Sequence, residues 1–472
     1  MRLIISKNAN INYLAKIVDV SKFHPHPDPE VTKLKCTYVD GYNIIIGIDS
    51  EPGKYVYFPT SSTINPQFLS FANLYRHAER NSNQEQTGMF EDNGRVKAIK
   101  LRGCISEGFL LPFNIFSNWI LDSTNIDIGD IENNTEFDTV EHNGKSFWVC
   151  KKYIVERTFN TNSQKRYDQK QRKLKRFDRI IDNQFRFHYD TVLIRKEPNA
   201  IHPDDIIHIS YKIHGTSGIS AYVLTKKPIT FIKRFGNLLS GRGFKPYDEV
   251  YDYIYSSRSV IKNQYYNQNV GLGYYNCDVW GEADKYIRPY LKKGMTMYYE
   301  IVGFLPNGRY IQKNYDYGCV PPKENEPYTP EKHFKVRIYR ITLTNVDGEV
   351  HEFSPREVQI WCNTHGLIPV EECYYGRAVD LYPDLVQIVN GDYENPLIDE
   401  DWNTRFIETL ANDEDFYMEQ KSPHCVNKVA HEGLVIKIDN MKSAAFKLKC
   451  FAFLDKEGRD ADAGIENIED NA

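Results

Sequence analysis

A lysine, a histidine and two glycines stand close together in ISYKIHGTSG, residues 209–218, where an apolar–polar alternation reads as a strand running into a tight turn. Lys212 at this strand end has the chemistry of an amine nucleophile toward phosphorus. A free lysine titrates near ~10.4, so that role requires burial or neighbouring positive charge. The attacked phosphate needs further cations and a metal, the metal needs carboxylates, and glycine lets the backbone approach the ligand. The rest of the chain offers a candidate for each part. MTMYYEIVGF sets Glu300 among apolar and aromatic strand residues, a costly place for an acid without a partner. HEGLVIKID opens a second alternating strand with Glu432 and Gly433 and carries Val435 within it. AAFKLKC places Lys447 and Lys449 two apart, on one face of a strand. YSSRSVIKN adds Arg258 and Lys262.

A K-x-x-G alone carries little information in a chain of this length. The ordered set K-I-H-G, S-R, Y-E-I-V-G, E-G-L-V-I-K and K-L-K carries much more. Over most of residues 187–450 it resembles the covalent nucleotidyltransferase superfamily of polynucleotide ligases and mRNA-capping enzymes. The resemblance implies that Lys212 takes AMP in a phosphoramidate bond and that Arg258 binds phosphate or ribose. It implies that Glu300 serves the ribose or a metal-bound water, and that Glu432 orients the metal. Lys447 and Lys449 would contact the α-phosphate, and Val435 would pack against adenine. His214 and Gly215, with Thr216, Ser217 and Gly218, would shape the turn by the nucleotide. For the residue stacked on the base, RIYRITLTN offers Ile341 first and Tyr339 second. His214 stands where DNA ligases and capping enzymes usually carry Asp, and K-x-H-G is typical of RNA ligases.

Positioning such a set takes more than one domain, and 472 residues suffice for two or three. The expected fold is multidomain α+β. Residues 1–150 read as an OB-like β-barrel that binds nucleic acid, from short alternating strands between Gly, Pro and Asp turns. Loosely, they resemble the OB modules appended to some tRNA synthetases. Residues 151–185 read as a basic linker, with eight Lys or Arg against two Asp between Lys165 and Arg179. A solvated helix and an RNA contact are equally good accounts of it. The resemblance implies that residues 186–455 form a nucleotidyltransferase domain, ATP-grasp-like, with helices expected over 365–425. Residues 456–472 read as an acidic disordered tail, since seven acids face two bases from Asp455 onward. His24 and His26 lack a third ligand nearby and read as solvent-facing histidines in a proline loop. The glycine-rich 233–245 segment lacks P-loop spacing and reads as a surface loop or lid.

With a formal net charge of −5, any nucleic-acid surface must be local. Nine cysteines without C-x-x-C spacing, and no run near eighteen apolar residues, lead us to expect a cytoplasmic, non-membrane monomer with reduced thiols. DNA ligases and capping enzymes generally carry an OB domain after K-x-K, whereas only twenty-three acidic-rich residues follow Lys449 here. The order instead resembles RNA ligases with an N-terminal OB module that seal nicks bearing an RNA 3′-OH strand. The expected activity is ATP-dependent RNA joining of 3′-OH and 5′-phosphate ends, with Mg2+ or Mn2+, on RNA or a nicked RNA-containing duplex. The alternatives are a capping-type guanylyltransferase and a non-catalytic RNA-binding protein on a degenerate ligase fold. Because Lys212 and its partners follow residue 190, the pocket is expected not to require residues 1–150.

Overall fold

The computed structural model describes residues 1–155, 179–230, 247–262, 275, 277–386, 398–440 and 444–465. Most of the basic linker, the 233–245 segment and the chain from 466 lie outside the described residues.

Residues 1–155 are built on a four-stranded antiparallel sheet in the order Phe109–Pro112, Gly53–Phe58, Ala15–Val20, Glu136–Phe137. Strand alternation gives this sheet two apolar faces. Ile17, Val56, Phe58 and Leu111 pack with Phe68 of helix Pro66–Phe71 and with Phe116 and Trp119 of helix Phe113–Thr124. Val18, Tyr55, Tyr57 and Leu110 pack on Val39, Tyr42 and Ile44 of the hairpin Leu34–Val39/Tyr42–Gly47. The sheet is therefore a middle layer, covered on both sides, and has no need to curl closed around its own core. The strands of this module divide among five small sheets, so the expected closed OB-like barrel is not what these pairings form. His26 also departs from expectation. It is buried, with Nε2 3.2 Å from the Leu101 carbonyl and Nδ1 accepting the Asp28 N–H at 3.1 Å, so it braces the turn instead of facing solvent.

Two five-stranded sheets make the second half. One runs Val192–Leu193, Ala445–Lys449, Gly433–Ile438, Ile206–Tyr211, Glu372–Arg377. The other runs Tyr247–Ser257, Thr216–Pro228, Met295–Gly303, Phe334–Thr344, Val350–Glu352. In the first, Leu434, Ile436, Phe446 and Leu448 face a core shared with Trp402 and Phe406 of helix Trp402–Ala411. In the second, Met297, Tyr299, Ile301 and Val336 pack on helices Val279–Ile287 and Pro355–His365. The latter helix starts at a capping box between Ser354 and Glu357, with Pro355 in its first turn, and stops at left-handed Gly366. The 365–425 region is thus not purely helical, since Glu372–Arg377 is an edge strand of the first sheet.

The chain passes from the first sheet to the second through residues 212–215 alone, between the strands ending at Tyr211 and beginning at Thr216. The nucleophile candidate therefore stands where the two sheets face each other. The expected disordered tail is, at least to residue 462, the helix Phe451–Asp462. Phe453 is fully buried, and Lys456–Asp460 (3.0 Å) and Arg459–Asp455 (3.0 Å) are ion pairs one turn apart. Composition counted these two bases against the acids but not Arg95 and Lys97, which reach Asp462 from the front module.

Candidate active site

Between the sheets lies a cavity of about 350 Å3. Lys212 lines it, and its Nζ donates to Oε1 of Glu432, buried behind the wall, at 2.6 Å. Two adjacent strands produce this pair: the Lys212 N–H donates to the Gly433 carbonyl at 2.8 Å, continuing the Ile206–Tyr211 pairing by one residue. Gly433 permits it, with φ +131°, and a Cβ there would stand 2.0 Å from the Leu448 carbonyl oxygen. The Glu432 side chain is 2% exposed and its Oε2 accepts no hydrogen bond from a described residue, lying 3.7 Å from His214 Nδ1. The His214 ring is set edge-on between Tyr315 (4.6 Å) and Phe453 (4.9 Å).

Strand period explains the next layer. Val435 and Lys437 share the cavity face of one strand, and Lys447 and Lys449 share it on the neighbour, with Val435 opposite Lys447. Desolvation lowers the Lys437 pKa to about 8, and its Nζ donates to the Tyr339 carbonyl at 2.5 Å. Burial works against charge on Lys449 too, but Glu457 (2.8 Å) and Glu432 outweigh it and hold that ammonium above the ordinary lysine value. Arg258 lines the same cavity and pairs with Asp190.

Glu300 lies in a strand buried on both faces and accepts the Gly215 N–H at 3.1 Å. Gly215 is required by space, because a Cβ there would fall 2.4 Å from the Ile301 carbonyl oxygen. The Gly215 carbonyl accepts from Gln312 Nε2, and the Tyr317 hydroxyl both donates to the His214 carbonyl (2.9 Å) and accepts the His214 N–H (3.0 Å).

Nearly every residue expected at the site is brought together here. Ile341 is not: it is fully buried in the core behind the second sheet, while Tyr339 lines the cavity, its hydroxyl 3.1 Å from Ser217 Oγ. The reason is a β-bulge. Tyr298 pairs with Arg340 but Tyr299 with Ile338, so Tyr339 is the extra residue and the alternation changes face across it. The pocket is expected from sequence not to require residues 1–150, yet Tyr13, Ser61 and Arg95 line the same cavity. Arg95 donates to Asp462 and to the Gly458 carbonyl, both at 2.8 Å, and Asn12 bonds the Leu193 N–H (2.9 Å) and the Thr191 carbonyl (3.1 Å). Sequence reasoning also passed over Lys437, although its motif and its period with Val435 mark it, and Glu457, for which only the neighbouring Phe453 and Leu454 gave a signal.

The arrangement is a cationic, half-enclosed cavity with a lysine held at its base by a buried carboxylate, suited to a small ligand carrying phosphates. No cluster of three or more His, Cys, Asp or Glu suited to a metal exists among the described residues. Nor is any described helix long and apolar enough to cross a membrane.

No family model matches the chain, and no curated protein does. Solved structures do match it. The Naegleria gruberi RNA ligase with PPi aligns at a TM-score of 0.52 and 16% identity, over 95% of this chain and 100% of that one. An apo variant of that ligase aligns at 0.52 and 14%, and a variant with ATP and Mn at 0.50 and 13%, each over 95% of this chain and 99% of the other. The chain shares the fold of these RNA ligase structures.

Proposed function

We propose that this protein is an ATP-dependent RNA ligase joining 3′-OH and 5′-phosphate ends, at nicks with an RNA 3′-OH strand, through AMP carried on Lys212. The observation that carries the reading is Lys212, held by the buried Glu432, in a cavity also lined by Lys437, Lys447, Lys449 and Arg258. Lys212 Nζ attacks the α-phosphorus of ATP, an N–P bond forms, and pyrophosphate leaves. Glu432 Oε1 is in reach of the proton that Nζ must lose. AMP then passes to an RNA 5′-phosphate, and the 3′-OH displaces it to form the phosphodiester. The protein's part is positioning and charge stabilisation. The Naegleria ligase has been solved with ATP and Mn and with AMP and Mn, which supports ATP and Mg2+ or Mn2+ here. The donor chemistry fits a hard divalent cation: Glu432 Oε2 is a buried carboxylate oxygen without a hydrogen-bond donor among the described residues, leaving phosphate oxygens and water to complete the shell. Such an ion would supply neutralisation of phosphate charge. Nucleotide labelled at the α-phosphate tests the reading. ATP should leave label covalently on the protein, and GTP should not. Label from GTP alone would indicate a capping-type enzyme, and none from either a binding protein.

Lys437 makes this reaction pH-dependent. Its ammonium is charged below about pH 8 and neutral above, so the cavity loses a cation as pH rises through that value. The kcat/KM for adduct formation should therefore fall across pH 8, since that parameter reports the free enzyme. Lys437→Met should be slower below about pH 8, approach the unaltered protein above it and lack this limb; an identical pH profile would remove Lys437 from the reaction.

Deleting residues 1–150 while keeping 151–185 should lower adduct formation as well as nick sealing, because Tyr13 and Arg95 form part of the cavity wall. Adduct formation at the full rate would mean that the front module serves only the RNA.

A further inference from the structure

The ladder hydrogen bonds of the first sheet end at the Lys212 N–H, and those of the second begin at Thr216, opposite Ile301. Between them, His214 and Gly215 present four backbone polar groups with no strand to pair with. All four are bonded by side chains. The His214 N–H and carbonyl share the Tyr317 hydroxyl, the Gly215 N–H reaches Glu300, and the Gly215 carbonyl accepts from Gln312. A phenol has one proton to donate and lone pairs to accept, so Tyr317 matches this pair of contacts. Burial pushes its pKa well above the ordinary tyrosine value, which keeps the donated proton in place. The segment is itself anchored: the Tyr315 hydroxyl donates to the Ala430 carbonyl at 3.0 Å, two residues before Glu432.

We infer that Tyr317 and Gln312 are positioning residues that hold the His214–Gly215 turn, and through it set Lys212 for attack on the nucleotide. This rests on the reading of Lys212 as nucleophile. Tyr317 lies outside the cavity lining, and Gln312, which does line it, donates its amide N–H to the Gly215 carbonyl; neither lies in the K-I-H-G, Y-E-I-V-G, E-G-L-V-I-K or K-L-K stretches. Their effect is specific to the step in which Nζ must meet phosphorus in line. Joining of a strand that already carries AMP does not use Nζ as nucleophile and depends on the turn much less.

The test compares the two steps in the full chain. Tyr317→Phe removes only the hydroxyl, and Gln312→Met removes only the amide donor. Each should slow adduct formation at saturating ATP about tenfold, the effect of one lost buried hydrogen-bond partner, with the KM for ATP within about twofold. Joining of a pre-adenylylated RNA at a nick should stay within about threefold of the unaltered protein. Equal slowing of both steps would assign the residues to general stability and overturn the inference, as would an unchanged adduct rate in both variants. Absence of an adduct in the unaltered protein would instead reject the ligase reading itself, so the two failures are distinguishable.

Discussion

Lys212→Ala should form no covalent AMP adduct, yet still join a pre-adenylylated strand at a reduced rate. On the proposed reading this amine supplies the bond-forming atom, whereas the other lysines lining the cavity attract phosphate. The substitution also leaves Glu432 Oε1 buried without the 2.6 Å partner it now has. A thermal melt of the variant should accompany the labelling, so that an unfolded protein is not taken for an unreactive one. Lys212→Met, which keeps most of the side-chain packing, should be equally unable to form the adduct. An undiminished adduct in either variant would sink the assignment of the nucleophile.

Glu432→Ala should reduce activity on the order of 10²-fold or more, the scale of losing one preorganised charge at a reacting phosphate. Its carboxylate is nearly buried, holds Lys212 with one oxygen and faces His214 with the other. Glu372→Ala is the matched control. That acid sits 3.3 Å from His208 Nε2 and 3.7 Å from Arg356, on an edge strand and outside the lining of the cavity. It should change joining less than about twofold, as substitutions away from such features commonly do. Comparable losses at both positions, measured as adduct formation and as sealing, would show that the site is displaced from where these strands place it.

The residues of the site were largely legible from local pattern. Lys212, Glu300, Lys447 and Lys449 each sit in a short alternating stretch whose period already assigns a face, and the structure turns those faces into one cavity, with Glu432 buried behind Lys212. Tyr339 shows where period fails. A single bulge exchanges the two faces of the Phe334–Thr344 strand, and nothing within RIYRITLTN marks where the extra residue falls. Gln312 and Tyr317 were invisible for another reason. They act across 97 and 103 positions of chain, on backbone groups, so no spacing rule connects them to K-I-H-G.

By itself the sequence determined the order of the charged motifs and the strands that carry them, because hydrophobic period and glycine turns are local properties. It also determined that a β-rich module precedes the lysine. Tertiary structure alone decided the rest. The front module is a layered stack and not a closed barrel, because helices and a hairpin cover both faces of its central sheet. The acidic end is helical to residue 462, because Lys449 neutralises Glu457 from the preceding strand and Arg95 and Lys97 neutralise Asp462 from a distant part of the chain. Charge composition reports how many acids a segment has. Whether they are solvated or paired depends on which cations the fold brings within about 3–4 Å of them, and that is settled only by long-range packing.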